Sequence, residues 1–158
     1  MSIQIWFDKY AENHQNPINK LIHWFCVPAI FFSLIGLLSG LSFNLGSDIL
    51  PISLEQQMHA GTLLILFALV FLSRLSKSIT LGMAVFSIVI LKVISVMRTM
   101  EVDVFSICLA IFVIAWIGQF IGHKIEGEKP SFFEDLKFLL IGPAWLLGIV
   151  YKKLGISY

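Results

Sequence analysis

Residues 21–47 read LIHWFCVPAIFFSLIGLLSGLSFNLGS, and this stretch, which contains no charged residue, decides the fold class. About 20 consecutive apolar residues are enough for a helix to cross the hydrocarbon core of a bilayer. Two further runs, 56–73 and 104–123, are also free of charge. Across the chain 58% of the residues are hydrophobic and the mean hydropathy is +0.89, well above the value typical of water-soluble domains. The sequence therefore predicts a polytopic membrane protein.

A fourth span is predicted over residues 78–97, where Lys92 is the one charged residue. Its ammonium group can reach an interface along its own aliphatic stem. The last apolar stretch, 138–151, is shorter and contains Gly142-Pro143, which indicates a short, kinked or partly inserted helix. We therefore expect an all-α transmembrane bundle of four spans plus a short C-terminal fifth hydrophobic helix, in a single membrane domain over residues 1–158. The sequence leaves open whether the fifth helix crosses the bilayer.

Several classes of protein do not fit this chain. The N-terminus has acidic and aromatic residues before any apolar run, so no cleaved secretory signal is expected. Cys26 and Cys108 fall inside predicted spans, where a structural disulfide is not implied. A net charge of +1 without a basic cluster predicts no nucleic-acid partner. No Ser-His-Asp order, Walker loop or dinucleotide fingerprint is found.

Alternation of the spans predicts the orientation of the chain. The N-terminus and the loops at 74–77 and 124–137 then share one side and carry most of the lysines and arginines, which places the N-terminus in the cytoplasm. If the last helix only dips into the membrane, Lys152 and Lys153 join that side. The short chain and the lack of a retention signal favour a bacterial cytoplasmic membrane over the endoplasmic reticulum. The sequence leaves the oligomeric state open, and a homo-oligomer is one of the states that fit it.

The same alternation brings three of the four histidines to one side. His14 and His23 lie before and just inside the first span, and His123 lies at the exit of a span that returns to that side. His59 opens the second span from the opposite side, about 30 Å away. We therefore expect His59 to be an interfacial or core residue and the other three histidines to lie near one another.

The stretch around the first two histidines predicts a helix start. Asn16 followed by Pro17 is typical of an N-cap and a first helical position, where the missing N–H of proline costs nothing. Asn19 and His23 are four residues apart and share a face of the helix that follows. The break at Asn16-Pro17 lets His14 fold back toward His23.

The second polar motif is GQFIGHKIEGEKP, residues 118–130. Gln119, His123 and Glu126 fall on one helical face, before Gly127 can end the helix as a left-handed residue. One face thus carries an amide, an imidazole and a carboxylate. The glycine pairs Gly118/Gly122 and Gly36/Gly40 have the spacing that allows two membrane helices to approach closely, and we interpret them as packing positions.

Three histidines beside amides fit a divalent metal site. Imidazole is a good ligand for Fe, Zn or Cu, and Asn16, Asn19 and Gln119 would orient the rings or the substrate. A three-ligand set leaves positions for a substrate or oxygen. One alternative is a non-catalytic lipid-binding or assembly protein, in which the histidines only tie helix ends together. Another is a haem protein with His23 and His123 as axial ligands, although the chain has no Cys-x-x-Cys-His motif.

The two motifs together resemble those of a known family, the Fe(II)-dependent 2-hydroxy fatty acid dioxygenases of fungal phytosphingosine breakdown and their bacterial relatives of unknown function. In order and spacing the resemblance covers nearly the whole chain. This chain differs from the fungal pattern at Glu126, which follows His123 by three residues, whereas the acid of the fungal motif follows its histidine by four. The matching residues are Tyr10, His14, Asn16, Pro17, Asn19, His23, Pro28, Gln119, Phe120, Gly122, His123 and Pro130.

The resemblance implies an α-oxidation in which O₂ and ferrous iron remove the carboxyl carbon of a 2-hydroxy fatty acid. Carried over to this chain, it makes His14, His23 and His123 the iron ligands or their immediate neighbours. Glu126 is then either a weak ligand or a structural acid. A 2-hydroxy carboxylate can chelate iron while its alkyl chain lies between apolar helices, so the expected partners are this substrate, O₂ and the lipid bilayer.

Overall fold

A computed structural model describes residues 2–12, 14–43, 58–127 and 138–158. Pro130 of the second motif and most of the connection after residue 42 lie outside these ranges. The described residues form helices and no strand, which confirms the all-α class expected from the sequence. The helices are α1 (Ile3–Glu12), α2 (Pro17–Leu38), α3 (Ala60–Ser73), α4 (Lys77–Thr99), α5 (Val104–Glu126) and α6 (Ile141–Lys153).

Side chains cap the starts of the four helices that follow α1. Asn16 accepts a hydrogen bond from the backbone N–H of Ile18 at 2.9 Å, and Pro17 occupies the first turn, as predicted. The predicted left-handed end of α5 is also confirmed, because Gly127 has a φ of 87°. These caps satisfy backbone groups that a helix end would otherwise leave without partners. The other capping residues are His59 for α3, Ser76 for α4 and Asp103 for α5.

Three of the described helices, α2, α4 and α5, are long and apolar enough to cross a membrane. Their outward side chains are large and hydrophobic, for example Phe25 on α2 at 72% exposure and Ile114 on α5 at 69%. Surfaces of this kind require lipid around them, so the chain is a helical membrane protein.

The predicted second span is shorter in the structure. Helix α3 has 14 residues and starts at Ala60, because His59 caps it and pairs with Ser42 in an isolated bridge. Four full spans are therefore not observed within the described residues. At about 1.5 Å per residue, α3 covers about 21 Å, which is less than the hydrocarbon thickness.

Of the three long helices, α2 and α4 run in one direction and α5 in the other, and α2 lies at the centre. Gly36 of α2 packs against Cys108 near the start of α5, and Gly118 near the end of α5 packs against Cys26, so α2 and α5 are antiparallel. Arg98 at the end of α4 donates a hydrogen bond to the carbonyl oxygen of Ser39 after α2, so α2 and α4 run parallel. The histidine end of the bundle is the end where α2 and α4 begin and α5 finishes.

The close approach of α2 and α5 depends on glycine. A Cβ atom at Gly118 would lie 2.6 Å from Sγ of Cys26. We expect Gly118→Ala to push the helices apart and to lower the free energy of unfolding by about 1–3 kcal/mol, measured by thermal unfolding in detergent. Adding Cys26→Ala should recover most of the loss. Gly40→Ala is the control, since its new Cβ would meet no atom closer than 3.5 Å; equal losses in both variants would contradict this role.

Helix α6 does not form a fifth crossing. Its Gly142-Pro143 pair lies in the first turn, where proline is tolerated, so the pair marks the helix start instead of a kink. Gly142 packs against Tyr10 and Val27, and the Tyr151 hydroxyl donates a hydrogen bond to the carbonyl oxygen of Ser78, at the start of α4. The helix thus begins inside the bundle and returns to the histidine end, together with Lys152 and Lys153. Of the two courses that the sequence left open, the structure shows this one.

Candidate metal centre

Three elements of the fold bring together the histidines expected from the sequence. His14 lies in the turn between α1 and α2, His23 lies on α2, and His123 lies in the last turn of α5. Their side chains are 3%, 1% and 5% exposed, respectively. One ring nitrogen from each lies within 4.8 Å of the other two. These three residues are called the histidine cluster below.

Backbone carbonyl groups orient two of the rings. Nδ1 of His14 donates to the carbonyl oxygen of Tyr10 at 2.6 Å, and Nδ1 of His23 donates to that of Asn19 at 2.9 Å. Because a carbonyl oxygen can only accept, Nδ1 carries the proton in each ring, and a neutral ring then has its lone pair on Nε2. The two Nε2 atoms face each other at 2.9 Å. Two lone pairs at this distance repel unless a cation or a proton lies between them.

The histidine cluster fits a shared metal ion. Two nitrogen ligands at about 2.0–2.1 Å from one ion stand roughly 2.8–3.4 Å apart at bond angles between 90° and 109°. The 2.9 Å between the Nε2 atoms of His14 and His23 falls within this range. The ring of His123 lies 5.2 Å from that of His23 and 5.5 Å from that of His14, measured between centroids. Three imidazoles are a suitable donor set for Fe, Zn or Cu.

Aromatic rings from α1 and α6 hold His14 in place. The Tyr10 ring stacks on the His14 ring with 4.2 Å between centroids, and Trp145 of α6 lies 5.7 Å from His14 and 5.1 Å from Tyr10. His14 is outside any helix, and this packing holds its ring in a defined position. Nothing in the sequence distinguishes Trp145, because an aromatic residue in an apolar run is ordinarily a packing residue.

Glu126, the last residue of α5, binds the turn that carries His14. Its Oε1 accepts from the backbone N–H groups of Gln15 at 2.6 Å and Asn16 at 2.9 Å. Its Oε2 accepts from the Asn16 N–H at 3.0 Å and from Nδ2 of Asn19 at 2.8 Å. A carboxylate here also lies at the positive end of the α2 dipole. Both oxygens are therefore occupied by hydrogen bonds that join α5 to the α1–α2 turn.

The three amides named from the sequence have different surroundings. Asn16 uses its side-chain oxygen to cap α2. Asn19 donates to Glu126, and its Oδ1 lies so close to Gly122 that a side chain there would collide with it. Gln119 is 5% exposed, and its Oε1 has no hydrogen-bond partner among the residues that the structure describes.

His59 lies at the opposite end of the bundle, as expected. It is 1% exposed, and its Nδ1 accepts from the backbone N–H of Thr62 at 3.2 Å. Burial, together with the positive charge of Arg98, lowers the pKa of His59 below its ordinary value. A neutral ring is what the capping bond requires, so His59 is a structural residue.

The fold and the site together define a class of protein: a helical membrane protein in which three buried histidines converge at one end of the bundle. Over residues 1–154 the chain matches the model of the family described as 2-hydroxy-palmitic acid dioxygenase Mpo1-like. The chain belongs to this family, which confirms the resemblance seen in the two motifs. No curated protein and no solved structure gives a significant match to the chain.

Proposed function

We propose that this protein is an Fe(II)-dependent membrane dioxygenase that shortens 2-hydroxy fatty acids by one carbon. The observation that carries the proposal is the pair of Nε2 atoms of His14 and His23, 2.9 Å apart, with a nitrogen of His123 within 4.8 Å. The description of the family as a dioxygenase of 2-hydroxy-palmitic acid supports the substrate class.

The histidine cluster would hold the ferrous ion, which when bound supplies the chemistry that activates O₂. The overall reaction balances without a further reductant: a 2-hydroxy acid and O₂ give the acid one carbon shorter, CO₂ and water. The substrate gives up four electrons and O₂ takes them. The reaction needs no second redox cofactor, so this small helical bundle would need no further cofactor-binding site.

The other polar residues would position the ligands. Hydrogen bonds behind a metal-binding histidine fix its ring orientation and increase its basicity. The carbonyl groups of Tyr10 and Asn19 have this role for His14 and His23. We assign Glu126 as the acid that holds the α1–α2 turn, because both of its oxygens already accept hydrogen bonds from that turn and from Asn19.

The position of the site suits an amphiphilic substrate. The histidine cluster lies near one end of the bundle, where a carboxylate and a hydroxyl can meet polar groups while an alkyl chain extends between apolar helices. By the positive-inside rule this end faces the cytoplasm. Apart from Lys92, the far end has only Arg98 among the described residues, whereas the histidine end has Lys9, Lys20, Arg74, Lys77, Lys124, Lys152 and Lys153.

Product analysis tests the function directly. Detergent-purified protein loaded with Fe²⁺ is expected to convert 2-hydroxyhexadecanoic acid to pentadecanoic acid in air, as detected by mass spectrometry. An anaerobic sample and a sample with hexadecanoic acid should give no product. Bound iron without product would discard the substrate and keep the metal site. Neither iron nor product would favour the non-catalytic lipid-binding alternative.

A further inference from the structure

A small cavity of about 20 Å³, enough for one water molecule or one hydroxyl group, lies near the histidine cluster, between α2, α5 and the start of α6. Tyr10, whose ring stacks on His14, forms part of its wall. Gln119 is the polar side chain of α5 in the lining, and the walls farther from the cluster are apolar, with Val27, Ile30 and Trp116. The cavity thus has room for one small polar group, which would meet Gln119 in a wall that is otherwise largely apolar.

Trp116 lies between this cavity and the outside of the bundle. Its side chain lines the cavity and also an apolar groove on the outer face of α5, together with Phe112 and Phe120. Trp116 itself is 6% exposed, so it separates the two spaces.

Gln119 has an unmet hydrogen-bonding requirement in this cavity. Its Oε1 is buried and has no partner among the residues that the structure describes. It lies one helical turn before His123, about 6 Å along the axis of α5. An acceptor buried without a donor destabilises the fold, so a ligand that brings a donor to this position is strongly favoured there.

We infer that Gln119 selects the substrate by accepting a hydrogen bond from its 2-hydroxyl group. The inference rests on the proposed function. A 2-hydroxy carboxylate in its ionised form has one hydrogen-bond donor, the hydroxyl, so an acceptor oxygen in an apolar wall recognises that group alone. A plain fatty acid would leave Oε1 without a partner, and the cavity would discriminate against it.

The test compares binding of hydroxylated and plain acids without turnover. Under anaerobic conditions, Fe²⁺-loaded wild-type protein is expected to bind 2-hydroxyhexadecanoate at least about tenfold more tightly than hexadecanoate, measured by displacement of a fluorescent fatty acid. In Gln119→Leu the ratio should fall to near one, mostly through weaker binding of the hydroxylated acid. Ile121→Leu, at an outward position of the same helix, is the control and should keep the wild-type ratio.

Protein stability gives a second readout that a merely structural glutamine would not produce. Because the buried acceptor is removed, Gln119→Leu should unfold at the same temperature as wild type or higher, with unchanged iron content. If the Gln119→Leu variant does not fold, Gln119→Met supplies an unbranched apolar side chain of similar length. A preserved binding ratio in a folded variant, or no preference in the wild type, would overturn the inference. Binding preference without any shortened product would instead count against the dioxygenase reaction.

Discussion

Replacement of His123 by alanine is expected to abolish stoichiometric iron binding and to reduce turnover of 2-hydroxy fatty acids by more than about 100-fold. Loss of a group behind a metal ligand already costs about 10- to 100-fold in affinity or activity, and loss of a ligand should cost more. In this variant only two histidines of the cluster, His14 and His23, remain to bind the metal. Iron per protein after anaerobic loading, measured by elemental mass spectrometry, and product yield are the two readouts.

A matched control is available at the other end of the bundle. His59 is as deeply buried as the histidine cluster but serves as a helix cap, and asparagine is a good replacement in that position. His59→Asn should therefore keep full iron content and activity. Stoichiometric iron and normal turnover in His123→Ala would refute the metal centre. Loss of iron in His59→Asn as well would indicate that the assay reports folding instead of coordination.

The sequence predicted the parts of the fold that depend on local chemistry. Apolar runs indicated the long helices, and Asn16-Pro17 and Gly127 indicated where α2 begins and α5 ends. Alternation of spans brought His14, His23 and His123 to one side, and the structure places them together. The role of this cluster in binding iron stays a prediction, because coordination depends on chemistry that the fold alone does not reveal.

The parts that the sequence could not predict depend on tertiary contacts. The course of α6 is decided by packing of Gly142 on Tyr10 and by the hydrogen bond from Tyr151 to Ser78, and an apolar stretch of this length fits both a crossing and a return. Helix α3 starts at Ala60, later than the apolar run predicts, because His59 caps it. In the sequence a capping histidine cannot be distinguished from an interfacial one.

Glu126→Gln is expected to lower the free energy of unfolding by about 2–4 kcal/mol and to weaken iron binding by about 10- to 100-fold. The carboxylate accepts hydrogen bonds from Gln15, Asn16 and Asn19, and a glutamine would point its NH₂ group at one of these donors. The turn that carries His14 would then be held less firmly. Thermal unfolding and competitive iron titration measure the two effects, with the exposed acid of α1, Glu12→Gln, as control.

The same variant separates the two roles that the sequence allows for Glu126. If the carboxylate holds the turn, the protein will still bind one metal ion at saturation, and the visible spectrum of Co²⁺ in the site will match that of wild type. If Glu126 were a ligand, its loss would change the donor set, so the intensity and position of the Co²⁺ bands would change even when the site is full. Both carboxylate oxygens of Glu126 accept hydrogen bonds from amide N–H groups at 2.6–3.0 Å. We therefore expect the Co²⁺ spectrum of Glu126→Gln to match that of wild type.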